Sequence, residues 1–188
     1  MLATISSLDI LVIHAVQSIG PVWIPVANLL SDIIGSTVYL APAIILTLLA
    51  IGKRRTALEV SIIFLVSALV VYGLKHLITA DRPYWVDASV FGYAIEDGYG
   101  MPSGHALISL VTLGWLWMRH PRSHSLSMGI PTILVLIGLS RIYLGVHYPS
   151  QVVAGWLVGG VLLAIFIWMD RKYFRRRNRF VRSSAKLR

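Results

Sequence analysis

Lys75, Arg82, His105, Arg141 and His147 all stand near the ends of long apolar runs, where charged and imidazole side chains are costly to place. Each is a group that chemistry can use. Two guanidinium forks and an ammonium match the oxygens of a phosphoryl group. Two histidines cover the roles that displacement at phosphorus needs, an attacking nitrogen and a proton donor for the leaving oxygen. Ser103 and the Gly104 amide join them, because "MPSGHA" (residues 101–106) reads as a helix start, and such a start offers free N–H groups to an anion. Ser103 alone also fits an ordinary helix cap. The chain has eight Asp and Glu, not clustered as divalent-metal ligands, and no cysteine, so the sequence calls for no metal and no cofactor.

These groups need a scaffold, and composition says which kind. The 188-residue chain is 56% hydrophobic and 13% charged, with a mean hydropathy of +0.74, far from the balance of a soluble domain. Four segments, about 34–52, 56–79, 127–146 and 152–169, are apolar over a length that can cross a bilayer, and a shorter fifth covers about 104–118. The expected fold is an all-α polytopic bundle of five or six spans, forming one domain over 1–188. Its parts are an N-terminal segment (1–33), a transmembrane core (34–169) and a basic tail (170–188).

Residues 1–33 allow two readings. Gly20, Pro21 and Pro25 cut the apolar run into pieces too short to span. Leu8, Leu11, Val12, Ala15, Val16 and Ile19 fall on one side of a helix, which suits an amphipathic segment lying in the interface. The alternative is a kinked sixth span. The N-terminus lacks the basic region of a signal peptide.

Basic residues give the orientation. Lys53–Arg55, Arg119 with Arg122, and the nine cations from Arg171 to Arg188 hold fourteen of the seventeen Lys and Arg, and alternating spans put all three groups on one face. By the positive-inside rule that face is cytoplasmic. Lys75, Arg82 and Arg141 are left near the other face, where snorkelling would explain one of them but not three beside two histidines.

Lys75 and Arg82 are two helical turns apart and so nearly share a side, although Pro83 disfavours helix at Arg82. The polar, glycine-bearing loop 80–101 could cover a site. Six residues of helix would put Arg141 about 9 Å deeper than His147, with Pro149 opening the next helix.

Three segments carry a resemblance. "KHLITADRP" (75–83), "PSGH" (102–105) and "SRIYLGVHYPSQ" (140–151), in this order and spacing, resemble the type 2 phosphatidic acid phosphatase family over residues 55–169. The resemblance implies metal-independent hydrolysis of phosphate monoesters or diphosphates on lipids, an extracytoplasmic site and a phosphohistidine intermediate. By position it makes His147 the nucleophile, His105 the general acid that later activates water, and Lys75, Arg82, Ser103, Gly104 and Arg141 the phosphate cradle. Gln151 departs from the pattern, since most members carry an aspartate there to support the nucleophile. An amide oxygen can still take the imidazole N–H but brings no negative charge. A tuned or slower enzyme and a silenced one both fit, and glutamine also occurs in active branches such as the glucose-6-phosphatases.

The expected partner is a phospholipid or polyprenyl phosphate in the outer leaflet of the cell membrane: undecaprenyl diphosphate, phosphatidylglycerol phosphate or phosphatidic acid. Rival readings are a phosphotransferase working through the same intermediate and a non-catalytic lipid-binding or transport protein. The tail suits anionic headgroups, and its charge alone does not argue for nucleic acid. Gly155, Gly159 and Gly160 allow close helix packing, more readily within the bundle than between copies, and no oligomeric state is legible.

Overall fold

The computed structural model describes residues 7–35, 39–119 and 124–175, and every regular element among them is helical. Arg122 and the tail beyond Arg175 lie outside the described residues. The main helices are α1 (Ser7–Gln17), α2 (Ile24–Asn28), α3 (Leu40–Ala50), α4 (Arg54–Ile78), α5 (Pro83–Val86), α6 (Gly104–Arg119), α7 (His124–Tyr143) and α8 (Pro149–Met169).

By length and composition two stretches can cross a membrane, Arg54–Val86 and Pro149–Lys172. A third is available if Ser7–Gln17 and Pro21–Asp32 count as one span, but these meet at 82°. Gly20 at φ +83° with Pro21 behind it makes that corner. Leu40–Ala50 and Met128–Tyr143 are apolar but shorter.

The outer surface is apolar in helical register. On α4 it exposes Leu58, Ile62, Leu65 and Leu69, and on α8 Val153, Leu157, Val161 and Ile165. Such stripes belong against lipid. The same inversion holds on α1, where Leu8 and Leu11 point outward while Asp9 and Gln17 are buried beside Ile13.

α6 is the central post. Leu107, Ile108, Val111 and Trp115 are buried with Val60, Ile63 and Val71 of α4 in one cluster, and Ala106 packs in a second with Ile142 and Val152. α8 comes close because Gly155 and Gly159 face it. A Cβ at Gly155 would stand 2.6 Å from the Ser103 carbonyl oxygen, and one at Gly159 would stand 3.0 Å from that of Leu107. Gly160, expected to share this role, meets nothing within 4 Å.

At the end of α6 away from Ser103, Arg119 donates to Glu59 of α4 (2.7 Å) and to Asp170 just past α8 (3.1 Å), and lies over the Trp115 ring. The basic stretch at 54–55, Arg119 and the start of the basic tail therefore share one end of the bundle.

Candidate active site

The segment after α7 sets the first histidine. α7 stops at Tyr143 and Gly145 takes φ +72°, a conformation open to glycine; a Cβ there would also lie 2.2 Å from the Phe91 carbonyl oxygen. This turn folds the chain back, so that the N–H groups of Val146 and His147 both donate to the Arg141 carbonyl, at 3.2 and 3.3 Å. The expected 9 Å step between Arg141 and His147 is thus corrected: a left-handed turn, not continued helix, joins them. Pro149 opens α8 as expected, after an extended Tyr148.

His147 is 1% exposed. Its Nδ1–H donates to Gln151 Oε1 at 2.9 Å, and the Gln151 Nε2 donates to the Asp81 carbonyl at 2.8 Å. The amide cannot satisfy both partners if flipped, so the oxygen faces the imidazole. With the proton on Nδ1, the lone pair sits on Nε2, 3.5 Å from Arg82 Nη1. Burial first, then the Arg141 and Arg82 cations, hold this ring well below the ordinary imidazole pKa, while the bond to Gln151 works the other way.

Arg82 lies beyond the end of α4, as expected from Pro83, so the two-turn spacing from Lys75 does not set its side. Thr79 ends the helix in the left-handed region (φ 49°), its N–H bonded to the Lys75 carbonyl, and Arg82 is extended before Pro83. Its fully buried guanidinium donates to the carbonyls of Gly98 (2.8 Å), Asp97 (3.1 Å) and Val146 (3.0 Å), tying the 80–101 loop to the histidine turn. Arg141, also fully buried, donates to Ser31 Oγ and Glu96 Oε1, with Asp32 3.8 Å away.

A cavity of about 530 Å³ brings together Lys75, Gly104, His105 and His147 of the expected site. Pro42, Phe64, Ala68, Val71, Tyr72 and Ile108 give it one apolar wall between α3, α4 and α6. Ser103 lies just behind, with its N–H donating to the Gln151 carbonyl (3.0 Å) and its buried Oγ without a hydrogen-bond partner among the described residues. A hydroxyl so placed is not serving as a helix cap; it is an unspent donor beside the His105 turn.

Two further residues, one in the site and one bracing it, are unannounced by any motif. Glu96 lines the cavity and pairs with both arginines, and Asp9 of α1 caps α8, its two carboxylate oxygens accepting from Ser150 N–H (2.9 Å) and Ser150 Oγ (2.8 Å). For Glu96 the signal was an acid in a loop facing three uncompensated cations. For Asp9 it was an acid on an otherwise apolar helix.

The chain is 33% identical over 123 residues to an undecaprenyl-diphosphatase of Sulfolobus acidocaldarius, covering 60% of this chain and 55% of that one. It is 32% identical over 135 residues to glucose-6-phosphatase 3 of Bos taurus, covering 59% and 39%. The chain thus spans only about half the length, or less, of these two relatives. In fold it is similar to the crystal structure of a transmembrane PAP2 type phosphatidylglycerolphosphate phosphatase from Bacillus subtilis, with a TM-score of 0.78, 24% identity, and coverage of 92% of this chain and 89% of that one. Residues 56–175, which carry all three motifs, match the PAP2 superfamily profile, and the chain belongs to that superfamily.

Proposed function

We propose that this protein is a membrane lipid phosphatase that works without a metal through a phosphohistidine on His147. The observation that carries the reading is the state of the His147 ring: Nδ1–H fixed by Gln151, and Nε2 turned toward Arg82 at the edge of a cavity that also holds Lys75 and His105. In the first step the Nε2 lone pair attacks phosphorus, the bond from phosphorus to the leaving oxygen breaks, and a protonated His105 gives that oxygen its proton. In the second, neutral His105 takes a proton from water, the oxygen attacks phosphorus, and the N–P bond breaks to free His147 and phosphate. Arg82, Arg141, Lys75, the Ser103 hydroxyl and the Gly104 amide would face the equatorial oxygens, where such a reaction gains most of its stabilisation.

The substrate is a lipid whose phosphate stands at the bundle end opposite Arg119 while its chains stay in the bilayer. The apolar wall between α3 and α4 supports this, since it gives a chain a path beside the polar seat. Undecaprenyl diphosphate is the first candidate, in line with the named activity of the Sulfolobus relative; phosphatidylglycerol phosphate and phosphatidic acid follow. In the same reading α3, α4, α6, α7 and α8 cross the membrane, the bent N-terminal pair lies at the interface, and the basic end is cytoplasmic.

The test is release of inorganic phosphate from these three lipids in detergent with EDTA. Turnover that persists in EDTA and is inhibited by vanadate is expected, and turnover that requires added magnesium would overturn the metal-free mechanism.

A further inference from the structure

Arg82 and Arg141 are both fully buried, and buried cations need counter-charge or they destabilise the fold. A bound phosphoryl group would supply that charge in the loaded protein. In the structure Asp32 lies 3.8 Å from Arg141, and Glu96 reaches both cations, with Oε1 on Arg141 Nη2 and Oε2 3.7 Å from Arg82 Nη2. Its carboxylate bridges the two guanidinium groups as two oxygens of a phosphate would. Glu96 also lines the same cavity as Lys75, His105 and His147.

Resting on the phosphoryl-transfer reading above, we propose that Glu96 is an internal occupant of the phosphate seat, a carboxylate that substrate and product must displace. Its attachment suits a part that can be moved. The side chain is 27% exposed at the mouth of the cavity, unlike the arginines it meets. Among the described residues its backbone is held by one group, the Tyr84 hydroxyl, which accepts from the Glu96 N–H (3.1 Å) and donates to the Glu96 carbonyl (3.0 Å). Asp97 and Gly98 beside it bond Arg82 only through carbonyls, so the loop stays anchored when the carboxylate leaves.

The consequence is a lowered apparent affinity for every phosphate ligand, because only the fraction of protein with Glu96 out of the seat is competent to bind. Such an occupant weakens product inhibition and keeps the arginines compensated between turnovers.

The experiment measures inhibition constants for orthophosphate and orthovanadate on the full chain in detergent, for the native protein, Glu96→Gln and Tyr84→Phe, with thermal midpoints alongside. Loss of the competing charge should tighten both anions about tenfold in Glu96→Gln. Tyr84→Phe, which frees the backbone but keeps the carboxylate, should shift them in the same direction by less. Constants that are unchanged or weakened in Glu96→Gln overturn the proposal, as does a fall in thermal midpoint with no gain in anion affinity in either variant. If Glu96→Gln does not fold, a Tyr84→Phe protein with native constants overturns it. A native protein that neither releases phosphate from lipid nor binds either anion refutes the phosphatase reading itself; one that is active and inhibited, with variants that match it, refutes only the role of Glu96.

Discussion

The imidazole Nδ1 of His147, two residues before α8, and the amide oxygen of Gln151 in the first turn of α8 are 2.9 Å apart. The glutamine thus does half of what a carboxylate would do there. It fixes the tautomer and the ring plane, and in the proposed reaction it would leave uncompensated the positive charge that the ring gains on attack.

Gln151→Asp should therefore raise the rate of phosphohistidine formation. It should also move the acidic limb of the kcat/KM profile to higher pH, since a carboxylate favours the imidazolium that burial and the two arginines now disfavour. Gln151→Leu, which cannot hold the Nδ1–H, should lose on the order of 10²-fold in kcat. Rate against pH for the three proteins checks both, and a limb that stays put or moves to lower pH in the aspartate protein would contradict the assignment.

His147→Ala should abolish turnover, whereas His105→Ala should retain the first step on a substrate whose leaving group needs no proton, such as p-nitrophenyl phosphate. The phosphohistidine then accumulates for want of a base in the second step. Mass spectrometry of acid-labile, base-stable phosphate on the His105→Ala protein reads this directly. An unmodified His147 would point to direct attack by water.

Gly155→Ala puts a methyl 2.6 Å from the Ser103 carbonyl, a backbone atom that carries the His105 turn and cannot swing aside. Loss of activity is expected to exceed the loss of thermal stability. Gly160→Ala, with open space around it, serves as the matched control and should behave as native. Comparison of thermal midpoints and phosphate release separates the two.

Thr79 ends α4 at φ 49°, where a β-branched side chain is crowded and glycine is not. Thr79→Gly should raise stability by about 0.5–1 kcal/mol with unchanged activity. A lower thermal midpoint would show that the threonine side chain contributes more than its backbone conformation costs.

Much of the site was legible because its signals are local. Pro83 and Pro149 fix the conformation of the residues before them, and both Arg82 and Tyr148 are extended as that rule requires. Where the chain departs from expectation, a single non-helical residue redirects everything after it. Gly145 does this between Arg141 and His147, and Thr79 does it between Lys75 and Arg82. Neither turn leaves a periodicity signal. Glu96 and Asp9 were hidden for another reason, since their partners lie 45 and 141 residues away and depend on the path of a loop and the docking of α1. The buried side of α1 could not be read from hydrophobicity alone, because Asp9 and Gln17 are buried beside Ile13 while Leu8 and Leu11 face outward.

Arg119 joins Glu59 and Asp170, and so α4, α6 and the end of α8, at the pole of the molecule farthest from the histidines. Three rods fastened at one tip behave as a pair of tongs: a small tilt at the rivet becomes a wide opening at the jaws. The apolar wall of the cavity, lined from α3, α4 and α6, lies toward those jaws. In the proposed reading, a lipid that enters from the side would part helices that remain clasped at their far ends, and the bundle would not have to come undone to admit it.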